Sequence, residues 1–153
     1  MARETTADTA ATAEERPLVE YATLTSAFWA VFALFVVAAG RRIPARMGTG
    51  DVVRIAVASY KMSRVVSKDE VTAFLRAPVT EDAEATQPKK EGMAAVLGEL
   101  VTCPYCLGLW FASGLAYAHV LAPRQARFAT AIFAAYGLTD FLHAGFVRLR
   151  EGR

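Results

Sequence analysis

Asp51-Val-Val-Arg54-Ile-Ala-Val-Ala-Ser-Tyr-Lys61-Met-Ser-Arg64-Val-Val66 decides how this chain folds, because it reads either as a helix lying on a membrane or as one crossing it. Gly48 and Gly50 break the chain before it, and Asp51 can cap a helix running to about Val66. At 100° per residue, Arg54, Lys61, Arg64 and Lys68 fall within one arc of ~80°, with Val52, Ile55, Ala56, Met62 and Val66 opposite. A crossing would place Arg54 and Lys61 in hydrocarbon, at about 2.5–3.5 kcal/mol each at mid-depth. The expected state is therefore interfacial. The basic arc then offers a surface to anionic lipid or to an acidic membrane or cytoplasmic protein.

The flanking sequence says which membrane elements this helix would accompany. Tyr21 to Gly40 holds no charged residue, Leu100 to Pro123 none apart from His119, and Phe128 to Thr139 none. With 54% apolar and 21% charged residues so segregated, a water-soluble enzyme with an ordinary amphipathic surface is excluded. The net charge of +2 gives no reason to expect a nucleic-acid partner, and no cofactor motif is present. The expected architecture is all-α and polytopic. Three helices cross, at about 21–40, 104–122 and 127–148, with an amphipathic helical hairpin over 51–78 on the cytoplasmic side.

Residues 1–19 are acidic and poor in apolar side chains, and read as a disordered tail before a membrane helix over 20–40. The acidic flank argues against a cleaved signal peptide, which needs a positive one. In the three-span arrangement Arg3, Arg16, Arg124 and Arg127 lie outside and the other thirteen of the 17 Lys and Arg inside. Four spans would divide them five to ten, with two left in the membrane. The positive-inside rule thus favours three spans, with the N-terminus outside and the C-terminus cytoplasmic.

After the basic helix, Ser67-Lys-Asp-Glu70 has the spacing of a capping box and should start a short helix carrying Val71, Phe74 and Leu75, ended by Pro78. Residues 79–92 have the composition of a flexible loop. A unit over 93–148 follows: a helix, the turn Cys103-Pro104-Tyr105-Cys106, and two membrane helices.

Pro104 suits the first turn of a helix, so both thiols should sit at the N-terminus of the second span, where the helix dipole favours a thiolate. Three roles compete. The tetrapeptide is that of the glutaredoxin active site, but no βαβ pattern precedes it, and catalysis would rest on Cys103 and Cys106 alone. As metal ligands the two need two more donors, which His119, ~24 Å along the helix, cannot supply. Only a second copy of the chain could build a dimeric site on them. The third role is structural, with two small reduced thiols packing a tight helix entry.

In the second span Gly108, Ala112 and Ala116 repeat every four residues and make a smooth face for close helix contact, within the chain or in a homo-oligomer. In the last, Asp140 and His143 stand three apart on one face. An intramembrane ionisable pair is a site candidate, and its plain form is a mutual hydrogen bond.

Lys61-Met-Ser63-Arg64, Asp69, Val71-Thr72, Leu75-Arg76-Ala77-Pro78, Leu97-Gly98-Glu99-Leu100, Cys103-Pro104-Tyr105-Cys106-Leu107-Gly108 and Trp110 resemble the bacterial membrane family called domain of unknown function 1360. The resemblance covers about residues 51–148. It implies a small integral membrane protein with no established activity, in a family with a sporulation-associated member. Arg64, Asp69, Arg76 and Glu99 belong to the matched motifs, and opposite charges among them could clamp the hairpin against the cysteine turn. The function expected is a non-enzymatic membrane scaffold or adaptor using Arg54, Lys61, Arg64 and Lys68. A thiol oxidoreductase and an oligomeric metal-binding protein are the alternatives.

Overall fold

The computed structural model describes residues 18–82, 84 and 86–152, so the expected tail lies almost wholly outside them. The described chain is all-α: α1 Leu18–Ala39, α2 Thr49–Lys68, α3 Ala73–Arg76, α4 Gly92–Thr102, α5 Pro104–Leu121 and α6 Pro123–Glu151. Three-residue 3₁₀ turns follow α1 and flank α3. Leu18–Arg42 and Pro123–Glu151 are each long and apolar enough to cross a membrane. Pro104–Leu121 meets that test only together with Gly92–Thr102, from which it is bent by 82°.

The bend has a local cause. Proline disfavours helical geometry in the residue before it, and Cys103 is accordingly extended (φ −99°, ψ 108°), which ends α4 and lets α5 start at Pro104. A second proline acts the same way. Instead of a four-residue turn over 123–126, Ala122 alone (φ −142°, ψ 67°) separates α5 from α6, because Pro123 serves as the first helical residue.

Ring and side-chain pairings set the helix directions. Phe28 meets Trp110 and Phe35 meets Tyr117, so α1 and α5 advance by the same seven residues and run parallel. Ile55 and Ala58 cluster with Leu115, Ala112, Met62 and Phe133, and Ser63 faces Gly108, so α2 runs antiparallel to α5. Asp51 meets Arg127 and Lys61 meets Asp140, which makes α2 parallel to α6. The order is up-down-up-down through α1, α2, α5 and α6. The first residues of α1 and the last of α6 therefore lie at one end of the bundle, the cysteine end.

The fold-deciding helix is thus placed differently from the interfacial reading. α2 lies between α5 and α6 and contributes Ile55, Ala58, Ser59, Ser63 and Ser67 to the buried interior. Its start also differs. Gly48 occupies the cap position and Asp51 falls in the first turn, with its carboxylate on Arg54 (2.9 Å) and Arg127 (3.5 Å). At its far end α2 continues through Ser67 to Lys68, so the expected capping box does not form. Asp69 becomes the junction, and Ser67 Oγ is buried without a hydrogen-bond partner among the described residues.

The connection expected as a loop over 79–92 is drawn into a compact turn. The Asp82 carboxylate accepts from the Thr86 and Gln87 amides (2.9 and 2.7 Å) and the Thr86 hydroxyl, and Thr80 bridges Pro88. The Thr86 hydroxyl, followed by the main-chain amides, holds the Asp82 carboxyl below its ordinary range.

Candidate functional site

The ionisable centre of the bundle joins two helices. On α6, Gly137 leaves room for α2: a β-carbon there would lie 3.0 Å from Val57 Cγ1 and 3.4 Å from Lys61 Cβ. That close approach brings Lys61 Nζ to 2.8 and 2.9 Å from the two oxygens of Asp140. The ammonium also stands 3.8 Å from the centroid of the Tyr136 ring, one turn before Asp140, in cation–π geometry. Lys61 is buried, with 9% of its side chain exposed, whereas 43% of Asp140 remains open on the outer side of α6. A lysine removed from water keeps its charge only with such a partner.

This arrangement revises two expectations. Asp140 and His143 share a face, but the carboxylate turns to α2, and the exposed His143 makes no hydrogen bond among the described residues. Lys61 leaves the basic arc. Arg54, bound to Asp51 and to the Gly50 carbonyl (3.0 Å), sits at the opposite end from Arg64 and Lys68, so only those last two remain exposed together.

At the cysteine end, Cys103 is the N-cap of α5: the Cys106 amide donates to its Sγ at 3.3 Å. Both thiols are free, Cys103 half-buried and Cys106 exposed. No group of three or more His, Cys, Asp or Glu able to hold a metal occurs among the described residues. Serine caps the same amide with a shorter, stronger acceptor, so Cys103→Ser should melt at or above the temperature of the parent. Cys103→Ala should lose about 1 kcal/mol. Thermal unfolding in detergent decides this, and equal melting of all three proteins would remove the capping role.

The proposed charge clamp takes another form. Arg76, buried to 2% exposure, donates through Nη1 to the Val66 carbonyl (2.6 Å), the Asp69 carbonyl (3.1 Å) and the Thr72 hydroxyl (3.2 Å). It thereby ties α3 to the end of α2, where helix carbonyls lack intrahelical partners. Glu99 accepts from the Tyr21 hydroxyl and so connects α4 to α1. Arg64 lies on the surface with its guanidinium near the Tyr60 ring.

One group of residues was missed from sequence. Ser59, Ser63 and Ser67 form an i, i+4, i+8 row on α2, and Gly108 and Ala112 on α5 lie against that helix. Ser59 and Ser63 return their hydroxyls to carbonyls three residues back, which hides their polarity and leaves a smooth contact. A small-residue row is readable in a sequence. Beside Lys61 and Arg64 it was overshadowed by charge.

Comparison with known proteins gives two matches. A family model described as protein of unknown function (DUF1360) matches residues 54–146, which takes in most of α2 and α6 and leaves out α1. Sporulation protein YjcA of Bacillus subtilis (strain 168) is 26% identical over 101 residues, covering 60% of this chain and 86% of the relative. No solved structure matches.

Proposed function

Because the chain belongs to the DUF1360 family of proteins of unknown function, whose matched segment is built around the Lys61–Asp140 pair, we propose that it is a four-pass membrane scaffold that performs no chemistry itself. The pair carries this reading. It removes the main objection to α2 as a span, since the lysine enters hydrocarbon already neutralised. The intervals Tyr21–Arg42, Asp51–Lys68, Cys103–Leu121 and Arg127–Val147 then correspond to ~25–32 Å of helix each, the thickness of one hydrocarbon layer.

At the cysteine end, Arg64 and Lys68 stand near the apolar Val71 and Phe74, which are 85% and 69% exposed. This is the surface we assign to an acidic partner protein. The B. subtilis relative is named for sporulation, which supports placing this scaffold in that process.

Sidedness tests the reading. Single cysteines are placed at Arg46, Thr86 and Gln125 in a chain whose Cys103 and Cys106 are serine. An impermeant maleimide on intact cells should treat positions 46 and 125 alike and position 86 oppositely. Positions 46 and 86 labelling together would show that α2 does not cross.

A further inference from the structure

At the end opposite the cysteines, α1 and α5 leave a crevice of about 340 Å³ between them, lined by Val31, Leu34, Ala38, Tyr117 and Leu121, with Arg42 at its rim. We propose that this crevice binds an anionic phospholipid, its acyl chain along the apolar lining and its phosphate on Arg42; the assignment rests on the four-pass reading above.

Three observations converge on that ligand. The walls come almost entirely from apolar side chains, and Val31, Leu34 and Leu121 are more than half exposed, so in a bilayer they face lipid tails. The cation at the rim has no acidic partner among the described residues. Arg41, Arg42, Arg46, Arg54, Arg124 and Arg127 gather at this end, and the acidic side chain among them, Asp51, is taken by Arg54 and Arg127. Arg42 forms no ion pair among the described residues, and a guanidinium matches a phosphate with paired donors. The third observation is the Tyr117 hydroxyl. Its ring stacks on Phe35 (centroids 4.1 Å apart) and lines the crevice, while its oxygen is buried with no hydrogen-bond partner among the described residues. Such an orphan is costly, and a lipid ester or phosphate oxygen could satisfy it. A zwitterionic lipid would bring its own cation beside Arg42 along with its phosphate, and a soluble anion would leave the apolar walls uncovered.

The test uses the full chain in nanodiscs of equal phosphatidylglycerol and phosphatidylcholine, followed by native mass spectrometry of the lipid retained on release. Phosphatidylglycerol should be retained about fivefold over phosphatidylcholine, the preference one basic side chain confers at a membrane surface. Arg42→Gln should bring the ratio to parity. Arg41→Gln should leave it unchanged, and Ala38→Trp, which fills the crevice, should abolish retention of both lipids. A parent ratio of one, or equal loss from Arg41→Gln and Arg42→Gln, overturns the site. The sidedness labelling is run on the same proteins: correct sidedness with no lipid preference refutes the site alone, whereas positions 46 and 86 on one side refute the four-pass reading and the site with it.

Discussion

Asp140→Leu is expected to lower the stability of the detergent-solubilised protein by about 3 kcal/mol, the cost of leaving a buried charge without its partner. The substitution adds apolar surface to a helix already long and apolar enough to cross a membrane, so hydropathy alone predicts the opposite sign. What decides is Lys61, whose ammonium is buried between helices and held at 2.8 Å by that carboxylate. The Tyr136 ring at 3.8 Å keeps a fraction of the stabilisation, which places the expected loss at the lower end of the range for broken buried pairs. The double variant Lys61→Met with Asp140→Leu should recover most of it, because two apolar groups of similar size leave nothing unpaired. Thermal unfolding of the four proteins forms a closed cycle. Asp140→Leu as stable as the parent would mean that Lys61 reaches water in the native state.

Gly98→Val should be comparably damaging for a steric reason. A β-carbon on Gly98 would lie 2.5 Å from the Val79 carbonyl oxygen and 2.9 Å from Pro88 Cβ. The obstacle is largely main chain, so it cannot rotate away, and either α4 or the Asp82 turn has to move. The expected loss is about 2–3 kcal/mol, with earlier proteolytic cleavage between residues 79 and 90. Gly145→Ala is the control. Its added carbon meets nothing within 4 Å, and alanine is the better helix former, so that variant should melt no lower than the parent. Equal behaviour of the two would show that α4 does not press on the turn.

Much of the architecture could be read from charge alone. α1 and α6 follow the charge-free runs at Tyr21–Gly40 and Phe128–Thr139, and Pro104 located the start of α5. These are properties of consecutive residues, which a linear reading resolves. The role of α2 was not legible in that way. Counting cations on one helix assigns Lys61 to a surface, because its partner stands 79 residues later on another helix. The same blindness paired Asp140 with His143, its neighbour in sequence. Gly137 was the quiet signal, since a glycine one turn before an aspartate in a long apolar helix allows another backbone to approach. For the cysteines, a structural role at a tight helix entry was readable beside the redox and metal alternatives, but the particular contact was not: Cys103 accepts an amide proton at the start of α5. The Arg76 contacts were half legible. Its place beside α2 followed from the motif, but its main-chain acceptors carry no sequence signature.

The one-residue joint at Ala122 also constrains how the protein is made. Two helices separated by a single non-helical residue cannot be delivered to a bilayer one after the other with an aqueous pause between them. On the four-pass reading they would enter as a closed pair, the 18-residue α5 together with the 29-residue α6. On that reading Asp140 would enter with α5 in the same event that brings Lys61 of α2 into the bundle, so the two charges would meet before either is left alone in hydrocarbon.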